Sequence, residues 1–163
     1  MPSPPPPPVI VADRIRWRDV DPVHIARYDA YVRLLEVGEE ELFRAAGMDA
    51  YGHAARTGVW LPRKVMHVEY AAPARLGDVV QVVGYVGRLG SSSVTLHVDV
   101  CDAAGGRLLA AGQFVLVAAQ GSGTLTKVAL PDDLRRWLEP WVLAPDEARR
   151  RAAARVAGPP PTP

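Results

Sequence analysis

Apolar residues recur along the chain with two different periods, and the switches between them predict the order of its elements. Residues 9 to 18 alternate, with Ile15 and Trp17 set against Arg14, Arg16 and Arg18, the period of a half-buried strand with one basic face. From Asp29 to Ala46 the period lengthens. Tyr31, Leu34, Leu35, Gly38, Leu42 and Ala45 follow i, i+3, i+4, i+7 spacing, which predicts one long helix with a single buried stripe, stopped at Gly47. Asp29 can cap its first turn. Gly38 costs helix propensity in mid-stripe but lets another backbone approach, as a sheet laid against the helix requires. Glu40 and Arg44 form an i, i+4 pair on the outer face, while Glu36 and Phe43 fall on a flank.

A polar, glycine-containing connection is expected from Met48 to about Leu61. The period of two then returns in four runs: Arg63 to Ala71, Val79 to Arg88, Ser92 to Cys101 and Leu108 to Ala118. Leu89-Gly90-Ser91 and residues 102 to 106 supply turn chemistry, so the last three runs read as an antiparallel meander. Leu125 to Val128 is a short edge segment, Pro131-Asp132-Asp133 opens a helix carrying Leu134, Trp137, Leu138 and Trp141, and Pro145 to Ala157 is an Arg-rich helical segment. A strand, a long helix and then several antiparallel strands predict an α+β domain with the helix on one sheet face.

The length of 163 residues suits one domain, expected over residues 9 to 143. The Pro-rich stretch 1 to 8 and the Pro-rich end of the 144 to 163 segment are expected to be disordered. With 19 Lys+Arg against 18 Asp+Glu, bulk electrostatics gives no reason for a nucleic-acid partner, so an anionic ligand needs a local patch. The single cysteine, Cys101, excludes an internal disulfide framework and reads as packed core. No apolar run reaches the ~18 residues of a membrane span, and the N-terminus lacks a basic-then-apolar layout, so a cytoplasmic chain is expected. His24, His53, His67 and His97 lack zinc spacing, and phosphate-loop, dinucleotide and Gly-x-Ser-x-Gly motifs are missing. No metal or redox cofactor is therefore expected.

Candidate chemistry gathers at Asp19-Val20-Asp21-Pro22, a strand-to-helix junction. Such a junction places a carboxylate near unsatisfied helix N–H groups, and Asp before Pro is equally suited to capping a turn. The residues alone leave both readings open. Together with Tyr31, Glu36 and the stretch Tyr70-Ala71-Ala72-Pro73-Ala74-Arg75-Leu76-Gly77-Asp78, the junction resembles the hot-dog-fold acyl-CoA thioesterases of the 4-hydroxybenzoyl-CoA thioesterase type, in matching order over roughly residues 13 to 138.

That resemblance implies an antiparallel sheet wrapped around one long central helix, and hydrolysis of an acyl thioester carried by coenzyme A or an acyl carrier protein. It places the catalytic carboxylate on Asp21, as general base or nucleophile, with Glu36 a second catalytic candidate and Asp19 a strand-end or salt-bridging residue. Its substrate-lining positions fall on His24, where the family usually has glycine, on Tyr28, where some relatives have histidine, and on Tyr31. Others fall on Val59 and Trp60, where relatives offer a backbone N–H to the thioester oxygen. Arg88 and Ser92 fall near the nucleotide, with Lys127 and the Arg149 to Arg155 cluster as further cations for its phosphates. A homodimer or homotetramer with sites between protomers is implied as well. The reading from another class is a non-catalytic hot-dog module that binds acyl groups or serves as a scaffold.

Overall fold

The computed structural model describes residues 8–48, 50–104 and 106–156. Of the Pro-rich ends expected to be disordered, residues 1–7 and 158–163 lie outside the described residues, as do Ala157 and, in the expected turn, Gly105, whereas Pro8 is described and buried.

The first strand, β1 (Val9–Arg14), is shorter than its alternating pattern. The carboxylate of Asp19 accepts the Arg16 N–H at 2.8 Å, which winds Trp17–Asp19 into one 3-10 turn and takes the chain out of the sheet. Ile15 stays buried, whereas Trp17, expected on the same apolar face, is 75% exposed.

The long helix forms as α1 (Tyr28–Ala45), burying Tyr31, Leu34, Leu35, Gly38 and Leu42. The buried stripe differs from the predicted one at its edges: Ala45 is exposed, while Phe43 and Glu39 are buried. Glu40 and Arg44 pair at 2.8 Å on the outer face.

β4 (Val79–Leu89), β5 (Ser93–Asp102) and β6 (Leu108–Val117) form the expected antiparallel meander. β1 adds to β4 and β3 (Arg63–Tyr70) adds to β6, giving a five-stranded sheet of order β1-β4-β5-β6-β3. Val80, Val82, Val86, Leu96, Val98, Phe114 and Leu116 pack with the α1 stripe in one core. The approach of helix to sheet is as close as Gly38 suggested. A Cβ at Gly38 would come within 2.5 Å of Val98 Cγ1, and one at Gly84 within 2.8 Å of the Gly38 carbonyl oxygen, so two glycines face each other where α1 crosses β4. A sheet wrapped around one helix in this way is the hot-dog fold.

The connection from Met48 to Leu61, expected as a loop, contains α2 (Ala50–Thr57) followed by β2 (Val59–Trp60). This helix draws its support from outside itself. His53 is buried, bonds Asp133 at 3.0 Å and sits edge-on to Trp137, both on α3 (Asp132–Leu138). β2 joins β7 (Ala119–Gln120) and β8 (Thr126–Lys127) in a small second sheet, which is where the expected edge segment pairs. Beyond α3, α4 (Pro145–Val156) lies on the other face of the main sheet, packing Ala148 and Ala152 with Val83 and Tyr85. No helix among the described residues is long and apolar enough to cross a membrane.

Candidate active site

Residues 19–27 form a tight excursion at the N-terminus of α1. The Asp19 carbonyl accepts the Arg27 N–H at 2.8 Å, Val20 bridges Ala26, and the Asp21 N–H donates to the Ile25 carbonyl at 2.9 Å. Asp21 sits in the resulting turn, partly exposed, and its Oδ1 accepts the N–H groups of Val23 (2.9 Å) and Ile25 (3.1 Å). The capping geometry is therefore real, and it occupies one oxygen: Oδ2 has no hydrogen bond among the described residues.

His24 explains how the turn closes. Its φ is +64°, the only positive value at a non-glycine among the described residues, so histidine adopts the left-handed conformation that glycine supplies more cheaply. Its carbonyl accepts the Leu76 N–H at 3.2 Å, and Ala26 donates to the Ala74 carbonyl at 2.9 Å, tying the turn to the Tyr70–Asp78 stretch. The His24 ring lies edge-on to Trp17 at 6.0 Å. Trp17, Val23 and Tyr28 are all exposed, an apolar rim on the turn and its flanks.

Two supports hold this excursion in place. Asp19, 4% exposed, is bound by Arg33 Nη2 at 2.9 Å, while Nη1 of the same guanidinium reaches Asp13 at 2.6 Å. Asp19 is thus the salt-bridging acid the sequence suggested. Burial pushes the Asp13 carboxyl up, but the hydrogen bonds from Arg33 and from the Arg14 N–H outweigh it and leave Asp13 below the ordinary carboxylate range. The second support is Tyr31, buried, whose hydroxyl accepts the Ala74 N–H at 3.1 Å and whose ring meets Tyr70 edge-on. Burial raises the Tyr31 hydroxyl above its usual range, keeping it protonated. Tyr31→Phe leaves the fully buried Ala74 amide unsatisfied, so a loss of about 1–3 kcal/mol is expected in urea unfolding, with the fold retained.

The start of α1 lacks a side-chain cap: Arg27 precedes it, and Arg27 instead pairs with Asp29 at 2.6 and 3.0 Å. Asp29 therefore lies inside the first turn, where the Arg27 pair and the backbone N–H groups of Asp29 and Ala30 hold its carboxyl below the ordinary range.

The other expected site residues divide. Tyr28 is exposed at the first position of α1. Glu36 is exposed farther along the helix and makes no hydrogen bond to Asp21 within the chain. Val59 is buried and Trp60 half-exposed, and both line a cavity of about 150 Å³ with Glu39, Phe43, His53 and Leu61. The Val59 N–H points to Thr57 Oγ1 at 3.2 Å, so that amide is already engaged. Arg88 is exposed; Ser92 is buried, and its carbonyl accepts the Ala118 N–H at 2.9 Å. Lys127 is exposed in β8, whereas Arg149 pairs with Asp99, and Arg150 and Arg151 with Glu147.

Glu39 is the residue that sequence reasoning missed. It is buried and ion-paired with Arg63, whose guanidinium lies 5.1 Å from the Phe114 ring centroid. Burial raises the Glu39 carboxyl, against the pull of Arg63. Its spacing of i+4 from Leu35 placed it beside the apolar stripe all along. Among the described residues no cluster of His, Cys, Asp or Glu suits a metal ion.

The fold and the family together define a thioester hydrolase of the hot-dog type. The chain belongs to the thioesterase-like superfamily, whose family model matches residues 15–138. Among solved structures it is similar to the Dynemicin thioesterase, at 20% identity and a TM-score of 0.72, covering 83% of this chain and 97% of that one. It is also similar to a 1,4-dihydroxy-2-naphthoyl-CoA thioesterase from Synechocystis, at 16% identity, TM-score 0.72, covering 79% and 93% of the two chains. A third is a 4-hydroxybenzoyl-CoA thioesterase mutant complexed with 4-hydroxybenzoyl-CoA, at 18% identity, TM-score 0.73, covering 80% and 97%. No curated protein sequence matches the chain.

Proposed function

We propose that the chain hydrolyses an acyl-CoA, or the same acyl group on a carrier protein, with Asp21 as the catalytic carboxylate. The observation that carries this reading is the division of labour within that side chain: Oδ1 is fixed by two backbone N–H groups and Oδ2 is left without a partner. A carboxylate held in this way cannot swing out of line. Its free oxygen either takes a proton from a water attacking the thioester carbonyl or attacks that carbonyl itself to give a mixed anhydride that water then opens. Negative charge develops on the thioester oxygen in either route and calls for a backbone N–H donor beside Asp21. Glu36 is assigned the orientation of water or of the substrate.

His24, Tyr28 and Tyr31 lie on or beside the Asp21 turn and form the near side of the site. The cavity beside Val59 and Trp60 suits the acyl group, and Arg88 with the Ser92 turn suits the nucleotide, with Lys127 as a further cation. The solved complex of 4-hydroxybenzoyl-CoA thioesterase with 4-hydroxybenzoyl-CoA is consistent with a coenzyme A thioester as substrate. Release of thiol from a panel of short, long and aromatic acyl-CoAs tests the reading. Hydrolysis of at least one is expected; release from none would favour a non-catalytic acyl-binding module, in which Asp21 only caps its turn.

The site is proposed to work in a homodimer formed along β3. That strand ends the sheet, is eight residues long without proline, and exposes Val65, Met66 and Tyr70 together with an unpaired row of backbone groups. Pairing with the same strand of a second copy covers both. Sedimentation at micromolar concentration is expected to give a dimer, or a dimer of dimers, and a monomer would contradict this assembly.

A further inference from the structure

Trp60 is a large aromatic residue that packs in neither hydrophobic cluster of the described residues. Its neighbours differ: Leu61 packs against the main core and Val59 is buried in it, whereas Trp60 is 45% exposed. Its backbone is nevertheless fixed. Trp60 stands opposite Ala119, and Val59 opposite Gln120, in the pairing of β2 with β7, and the Gln120 side chain donates to the Thr57 carbonyl at 3.1 Å just ahead of the strand. A held aromatic side chain that the core does not require is available to shape a ligand site.

Two spaces meet at Trp60. On one side is the pocket of about 150 Å³ that it shares with Glu39, Phe43, His53 and Val59, a volume that admits one benzene-sized group. On the other is an open groove of about 590 Å³, bounded by Pro62, by Leu125 and by the Gly121-Ser122-Gly123 bend between β7 and β8. Trp60 and Leu61 line both spaces and so form the wall between them. Leu61 is committed to the core, which leaves Trp60 as the part of the wall that can change without disturbing core packing. The groove beyond it has no charged residue in its lining and presents Leu125, itself 46% exposed, so it suits an alkyl chain.

We propose that Trp60 sets the size limit of the acyl group, closing the pocket behind a ring-sized or short group and keeping a longer chain out of the groove. This rests on the reading above that the pocket receives the acyl group. Within one chain the pocket lies away from Asp21, since Glu39 is about 16 Å along α1 from Tyr28 by the rise of a helix. β3 runs between the two ends, from Arg63 beside Glu39 to Tyr70 beside Tyr31. Antiparallel pairing of two copies along β3 therefore sets the pocket end of one beside the Asp21 end of the other, and Trp60 of one copy limits the substrate that its partner cleaves.

The test measures binding by calorimetry with S-alkyl-CoA thioethers, which lack the carbonyl and are not hydrolysed. Benzyl, butyl, hexyl and decyl groups are compared on the full chain and on its Trp60→Ala and Trp60→Phe variants. In the wild type, affinity is expected to rise from butyl to hexyl or benzyl and then stop, with decyl bound no tighter than hexyl. In Trp60→Ala, decyl should bind at least about 10-fold tighter than hexyl, because each methylene newly removed from water contributes about 4-fold. Trp60→Phe keeps a ring in the wall and should keep the wild-type limit. A wild-type affinity that keeps rising to decyl overturns the proposal, as does a Trp60→Ala profile that still stops at hexyl, an equal loss at every length, or no binding of any thioether. Should Trp60→Ala fail to fold, Trp60→Val, which keeps a strand-forming residue in β2, is judged by the same outcomes. Thiol release from acyl-CoAs is recorded on the same wild-type sample: the expected length limit without thiol release sinks the hydrolase reading and leaves the role of Trp60 standing.

Discussion

Asp21→Asn is expected to lower thiol release about 10²- to 10⁴-fold, the range for losing a positioned acid–base group, while the protein remains folded. The amide oxygen of Asn can accept the Val23 and Ile25 N–H groups as Oδ1 does now, so the turn should persist. What disappears is the charge on the second oxygen, the atom that the proposed chemistry needs. If Asp21 served only as a cap, Asn would replace it with little loss of activity. Asp19 is a poor control despite lying two residues away, because its buried carboxylate pairs with Arg33 and its change would disturb the scaffold. Asp29→Asn, which removes an exposed charge from the first turn of α1, is the better one and should leave turnover nearly unchanged.

The largest effect on stability is expected at Arg33. Arg33→Met strips the closest cation from Asp13 and Asp19 together, leaving buried Asp19 with Arg18 at 4.0 Å and the Arg16 N–H, and Asp13 with Arg16. A loss of about 3–5 kcal/mol is expected in urea unfolding, the usual cost of breaking a buried pair from one side. The pH dependence should identify the cause. Asp13 is held below its ordinary carboxylate value when folded, so its contribution is fully present above the unfolded value of about 3.9 and is lost as pH falls through the lower folded one. Acid should therefore destabilise the wild type more than the variant, narrowing the gap between them. An equal gap at pH 7 and at pH 3 would contradict that account. Activity should fall too, because Arg33 holds the base of the excursion that presents Asp21.

Much of the fold could be read from local pattern. The α1 stripe, the meander and the close approach at Gly38 each rest on a period or a steric need that few alternatives satisfy. Features made by tertiary contact could not be read in this way. α2 has eight residues and a polar composition, and it is held by the bond from His53 to Asp133 eighty positions later. β1 ends early because the Asp19 side chain competes for the Arg16 amide, a contact that strand periodicity does not encode. The site was legible to the same degree. Asp21 stands out through its junction and the family resemblance, and the positive φ of His24 shows the conformation that glycine supplies more cheaply, a conformation that the residue type alone does not announce. Glu39 escaped because an acid on an apolar helix stripe gives no signal until its partner Arg63 arrives from β3.

The most direct test of the account measures binding and chemistry on one sample. An acyl-CoA that the wild type hydrolyses is mixed with Asp21→Asn, its binding is followed by calorimetry, and the bound material is quenched and analysed for intact thioester. Binding within about 10-fold of the wild-type KM is expected, in keeping with loss of an interaction made in the transition state, together with intact thioester after many wild-type turnover times. Thiol release by Asp21→Asn at the wild-type rate would contradict this.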